Sequence, residues 1–235
     1  MLYNLLAPYA QDFPAFNLFR YLTFRTGGAV ITALIISFVL GPRLIAWLRR
    51  VQVHGQPIRE DGPADHLLTK KGTPTMGGFL ILVALTVSTV LWADIGNGYV
   101  WAVLLVAVGF GAVGGADDFL KLTKRNSKGL PGRLKLIWQV LISLGATIWI
   151  VSIANPTVST ALAVPFIKTL LIDLGWFFVP FAIFVMVGAS NAVNLTDGLD
   201  GLAIVPVMMA AGAFGIISYL VGNFIFSDYL GVHHV

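Results

Sequence analysis

No cysteine occurs among the 235 residues, which excludes disulfides, thiolate zinc sites, iron–sulfur clusters and cysteine nucleophiles and leaves the redox compartment open. Charge is scarce too: 11% of the residues are charged, against about 25% in a typical soluble domain. Histidine is confined to His54, His66 and the adjacent His233 and His234, a poor basis for a zinc site. What fills the chain instead is apolar. At 57% hydrophobic it has too little polar surface for water, and lipid is the expected solvent.

Long uncharged runs locate the spans, because a hydrocarbon core of about 30 Å takes about 20 helical residues. Six runs stand out. They are Thr26 to Pro42 with an extension to Leu48, Gly72 to Ala93, Ile95 to Ala116, Leu136 to Ile167, Leu174 to Thr196, and Gly201 to Ser227. The fourth is long enough to end as a helix near Asn155-Pro156 and continue as an extramembrane stretch rich in Thr, Ser and Val. The expected fold class is therefore all-α, a polytopic bundle of about six membrane helices, with residues 1–235 forming one integral membrane domain.

The basic residues orient the bundle. Loops on one side carry Arg43, Arg49, Arg50, Arg59, Lys70, Lys71, Lys121, Lys124, Arg125, Lys128, Arg133 and Lys135, whereas the other side has only Arg20, Arg25 and Lys168. The positive-inside rule makes the first side cytoplasmic and puts both termini outside the cytoplasm. The net charge of +4 is then a topology signal, and no nucleic-acid partner is expected. The start of the chain does not read as a cleavable signal peptide. Phe13, Phe16, Phe19, Arg20 and Phe24 have the spacing of an amphipathic segment at the outer interface.

Of the eleven acidic residues, two pairs fall on the cytoplasmic side: Asp117 with Asp118 at the end of the third span, and Asp197 with Asp200 between the fifth and sixth. Adjacent carboxylates repel, and burying one at mid-membrane costs on the order of 3 kcal/mol, so such a cluster calls for a cation. Hard oxygen ligands suit Mg²⁺, which binds through one or two carboxylates plus substrate phosphates. The plainer reading is a solvated helix end followed by Lys121 and Lys124. In NAVNLTDGLDGLA, Asn191 to Ala203, Asn194 and Asp197 share a helical face, and Gly198 and Gly201 leave room for a ligand near the backbone; a capped turn between two spans uses the same residue types.

The first cytoplasmic loop ends in KKGTPTMGG, in which Lys70 and Lys71 can meet a diphosphate while Thr73, Thr75, Gly77 and Gly78 offer hydroxyl and backbone donors. It is not a Walker loop, since the lysines precede the glycines. Boundary lysines meeting anionic lipid give the same pattern, and Arg133 and Lys135, opening the fourth span, carry the same two readings. Three loops on one face that together supply acid, base and glycine point to a site for a metal, a nucleotide diphosphate and a lipid phosphate.

KKGTPTMGG (Lys70 to Gly78), ADDF (Ala116 to Phe119) and NAVNLTDGLDGLA, in that order, resemble the bacterial phospho-N-acetylmuramoyl-pentapeptide transferases, a branch of the polyprenyl-phosphate sugar-1-phosphate transferases. The likeness runs over the whole chain, including FRYLTFR near its start. It implies a multi-pass enzyme of the bacterial inner membrane, active on the cytoplasmic face, that moves phospho-MurNAc-pentapeptide from UDP-MurNAc-pentapeptide to undecaprenyl phosphate, yielding lipid I and UMP with Mg²⁺. By the same resemblance, Asp117 and Asp118 are the catalytic and metal-binding pair. Lys70, Thr75, Lys135, Asn194, Asp197, Gly198, Leu199 and Asp200 bind substrate, with the base near Lys70 and the DGLDG turn. A homodimer is expected by resemblance alone.

The resemblance also implies about ten spans, a later MGDxGS motif and a triple-histidine loop that this sequence does not contain. The chain is thus expected to correspond to the first two thirds of such an enzyme and to need the remainder for activity. One-step attack by the lipid phosphate and a covalent aspartyl intermediate both fit the residues. A transferase using UDP-GlcNAc, an inactive fragment and a transporter with membrane aspartates are the alternative readings.

Overall fold

The computed structural model describes residues 1–52, 74–124, 129–164, 167, 170–196 and 202–232. The chain forms two compact units, Met1–Ile142 and Ser143–Val235. Helices dominate both, and five helices among the described residues are long and apolar enough to cross a membrane. Large apolar side chains on them face outward, as with Phe38 at 77% and Phe214 at 70% exposure, the inverse of a water-soluble core.

The first unit opens with α1 (Leu2–Leu6) and two 3₁₀ turns, Ala7–Gln11 and Pro14–Arg20. It continues through α2 (Leu22–Val51), α3 (Gly78–Trp92), α4 (Gly98–Lys124) and the start of α5 (Gly132–Ile153). Side-chain contacts fix the directions. Trp92, at the end of α3, donates its indole N–H to Thr32 near the start of α2 at 2.8 Å, while Gln52, just past the end of α2, bonds to Thr75 just before α3. The two helices are therefore antiparallel. Leu82 of α3 packs on Gly111 of α4, where a Cβ would collide with it, and Thr75 bonds to Asp118, so α4 runs antiparallel to α3 as well.

Aromatic rings seal one end of this unit. Trp92 stacks on Phe19 at 5.9 Å and meets Phe24 edge-on at 5.9 Å, with its ring against Gly28. Two of the phenylalanines expected at the interface, Phe19 and Phe24, thus pack on Trp92, while Phe13 is more exposed and meets Phe16 at 5.6 Å. Beside them Asn4 donates to Asp94 at 2.8 Å, tying α1 to the turn between α3 and α4.

In the second unit the remainder of α5 ends at Ile153, just before Asn155-Pro156 as expected. The polar stretch that follows contains a small antiparallel pair, β1 (Ala161–Ala163) and β2 (Leu171–Asp173), in the register Ala161 to Asp173 and Ala163 to Leu171. These short strands had no clear periodic signal. Then come α6 (Phe178–Thr196), α7 (Ile204–Val221) and α8 (Phe224–Leu230). The last uncharged run, anticipated as one span, is broken because the Asn223 side chain accepts from the N–H groups of Ile225 and Phe226 and starts a new helix.

Two boundaries differ from expectation at the other end of the first unit. α3 has 15 residues, shorter than the uncharged run from Gly72. In contrast α4 does not stop at the aspartates but continues to Lys124, with Lys121 paired to Asp117 four residues earlier.

Candidate functional site

The site is built at the end of the first unit where α2 stops, α3 starts and α4 passes its aspartate pair. Asp117 and Asp118 are neighbours on α4, so their side chains diverge by about 100° around the axis. One cation reaches both: the Lys121 ammonium lies 2.6 Å from Asp117 Oδ2 and 3.7 Å from Asp118 Oδ1. The two carboxylates and the lysine are 16–29% exposed, neither fully solvated nor buried. Like charges this close and this sheltered need the neutralisation that Lys121 provides.

Each aspartate then takes a second, different partner. Asp117 Oδ1 accepts the backbone N–H of Leu130 at 2.6 Å, from the turn that leads into α5. That turn passes through Gly129 with φ +55°, a conformation costly for residues with a Cβ, and a Cβ there would run into the Asp117 carboxylate and the Lys121 side chain. Asp118 Oδ2 accepts the Thr75 hydroxyl at 2.9 Å. Thr75 is held in turn by Gln52, whose amide accepts from the Thr75 N–H at 2.8 Å and donates to the Thr75 carbonyl at 3.2 Å. Lys135 lies in the first turn of α5, five residues after the Leu130 N–H that bonds to Asp117.

Of the residues singled out in the sequence, Asp117, Asp118, Thr75 and Lys135 thus gather in one place. Thr75 touches Asp118 directly, a contact between positions 43 apart in the chain that no local pattern indicates. Asn194 lies near the end of α6 in the second unit and is exposed. Lys70, Asp197, Gly198, Leu199 and Asp200 fall outside the described residues. Sequence reasoning missed Gln52 and Gly129, and noted Lys121 only as part of a solvated helix end. A lone glutamine at the end of a span carries no signal, and one glycine in a loop does not announce a positive φ.

Among the described residues no group of three or more His, Asp or Glu side chains converges as a metal cage. Two carboxylates on one helix remain. Such a pair could hold a hard cation such as Mg²⁺ only together with further oxygen donors.

Comparison with known proteins bears on the same residues. Residues 100–232, which contain the aspartate pair, match the family described as Glycosyl transferase family 4. Residues 70–82, which contain Thr75, match the phospho-N-acetylmuramoyl-pentapeptide-transferase signature 1. The chain is 63% identical over 235 residues to the phospho-N-acetylmuramoyl-pentapeptide-transferase of Granulibacter bethesdensis and 54% identical over 239 residues to that of Maricaulis maris. All of this chain is covered in both alignments, and it spans 65% of the length of each relative.

Proposed function

The chain belongs to glycosyl transferase family 4, and from that premise we propose that it forms the N-terminal part of a transferase that moves phospho-MurNAc-pentapeptide from its UDP carrier to undecaprenyl phosphate, giving lipid I and UMP. One observation carries the reading. Thr75, inside the matched signature, hydrogen-bonds to Asp118, inside the matched family region, so the two separately recognised stretches form one polar site.

In this reading the site lies on the cytoplasmic side of the bacterial inner membrane, with six spans and both termini outside the cytoplasm. The count includes α3 despite its length. Its lead-in Thr75 and its end Trp92 meet α2 at Gln52 and Thr32, about 20 residues or about 30 Å apart along α2, which is a full hydrocarbon thickness.

The chemistry asked of the residues is mostly placement. A phosphate monoester has a second pKa near 6, so the attacking lipid phosphate is largely ionised at neutral pH and needs little help from a base. We assign Asp117 to orient the lipid phosphate and take any residual proton, and Lys70 and Lys135 to hold the diphosphate. Asn194, Asp197, Gly198, Leu199 and Asp200 are assigned to the nucleotide side. Asp117 and Asp118 are the groups that would hold Mg²⁺, which when bound supplies positive charge to the phosphoryl oxygens. Lys121 keeps the aspartates paired and compact, and the Leu130 N–H fixes the orientation of Asp117.

The test is UMP release and lipid I formation with the chain extended by the C-terminal part its relatives carry, offered UDP-MurNAc-pentapeptide or UDP-GlcNAc. Lipid I from the muramoyl substrate is expected, with Asp117→Asn and Asp118→Asn each lowering turnover at least about 10³-fold in folded protein. Normal turnover in either variant would remove that aspartate from the mechanism, and preference for UDP-GlcNAc would reassign the substrate.

A further inference from the structure

We propose that Gln52 is a positioning residue of the transfer reaction, holding the Thr75 hydroxyl on Asp118 so that one carboxylate oxygen is occupied and the other is left for chemistry. The proposal rests on the function assigned above and adds to it a residue in no recognised motif. Gln52 is 9% exposed and sits one position beyond α2, with its own N–H bonded to Leu48 at 2.8 Å, so its backbone is an extension of that helix. Its side-chain amide engages both polar groups of one residue, accepting from the Thr75 N–H at 2.8 Å and donating to the Thr75 carbonyl at 3.2 Å. Two bonds from one planar group fix the rotation of the Thr75 peptide as well as its position.

That grip matters because the backbone there is strained. Met76, the next residue, has φ +72°, a conformation that costs a residue with a Cβ about 1–2 kcal/mol and persists only where surroundings impose it. Without Gln52, two partly buried backbone groups lose their partners and Met76 can relax, carrying the Thr75 side chain with it. The hydroxyl donates to Asp118 Oδ2 at 2.9 Å, which leaves Oδ1, 3.7 Å from the Lys121 ammonium, as the less engaged oxygen. Gln52 therefore acts on the aspartate through Thr75 and touches no reacting group itself.

A double-variant cycle in the chain extended to the length of its relatives tests this, with kcat and KM for the UDP-sugar and the melting temperature in detergent measured together. Gln52→Ala is expected to lower kcat on the order of tenfold to a hundredfold with KM changed by less than about twofold, and to cause no further loss in a Thr75→Val background. Gln52→Glu keeps the acceptor for the Thr75 N–H and the side-chain size but loses the donor, and guards against misfolding of the alanine variant. It should lower kcat as Gln52→Ala does and, like it, add nothing to Thr75→Val. Unchanged kcat in Gln52→Glu and Gln52→Ala, or losses that multiply with that of Thr75→Val, overturn the proposal. Asp118→Asn run in parallel separates the two levels: if it is inactive while the Gln52 variants are normal, only the role of Gln52 falls, and if it is active the assigned chemistry falls first.

Discussion

Residues at the aspartate pair show how a membrane protein can keep two adjacent carboxylates in a partly sheltered place. Lys121 neutralises them, and two neutral donors, the Leu130 N–H and the Thr75 hydroxyl, orient them separately. Gly129 is the least forgiving position in this set. Its left-handed backbone carries the Leu130 N–H to Asp117, and a methyl group would strike the carboxylate. Gly129→Ala is predicted to cost about 2 kcal/mol of stability, from the strained backbone and the overlap together, and to lower turnover more than a surface substitution of equal stability cost. Thermal unfolding and turnover measured on the same detergent preparation check this. At this scale the sequence was legible where chemistry and motif coincide, at Asp117, Asp118 and Thr75. It was silent at Gln52 and Gly129, whose roles come from a contact across the chain and from a dihedral angle.

At the scale of elements, the antiparallel packing of α2 on α3 is fixed at one end by Trp92, which sits against Gly28, bonds to Thr32 and stacks on Phe19. Trp92→Ala is predicted to destabilise this unit by about 3 kcal/mol, and Gly28→Leu to do comparable harm by driving a side chain into the ring, both read as lowered melting temperature in detergent. The docking of α1 is electrostatically tuned. The Asn4 side-chain donor, aided by the Gly96 N–H and the Arg25 charge, holds the Asp94 carboxyl below its ordinary value against the opposing effect of partial burial. A lowered folded value means that the stabilisation is complete above the ordinary carboxylate range and is lost as pH falls through the depressed one. The segment before α2 should therefore become sensitive to pepsin only below about pH 4, and Asp94→Asn should remove that step. Uncharged runs in the sequence marked the helices well, because lipid requires them. They marked the ends poorly, since the continuation of α4 to Lys124 depends on a side-chain ion pair and the break before α8 on the Asn223 cap. The β1–β2 pair escaped notice because three-residue strands are too short to show a period.

For the whole molecule, composition alone was enough to identify lipid as the solvent, and the outward-facing apolar side chains agree with it. Motif order carried the family, which the match over residues 100–232 establishes. The substrate-binding role proposed for Lys70, Asp197 and Asp200 reaches further than these features, since it assigns residues far apart in the chain to one nucleotide diphosphate. Because residues 1–235 contain no cysteine, that assignment can be measured with introduced pairs. Cysteines placed at Lys70 and Asp200 are to be bridged in membranes by a reagent no longer than a nucleotide diphosphate, beside a control pair at Gln52 and Thr75, which are in contact. A cross-link between 70 and 200 that UDP-MurNAc-pentapeptide suppresses is expected. No link at that pair, under conditions in which 52 and 75 join readily, would contradict the assignment.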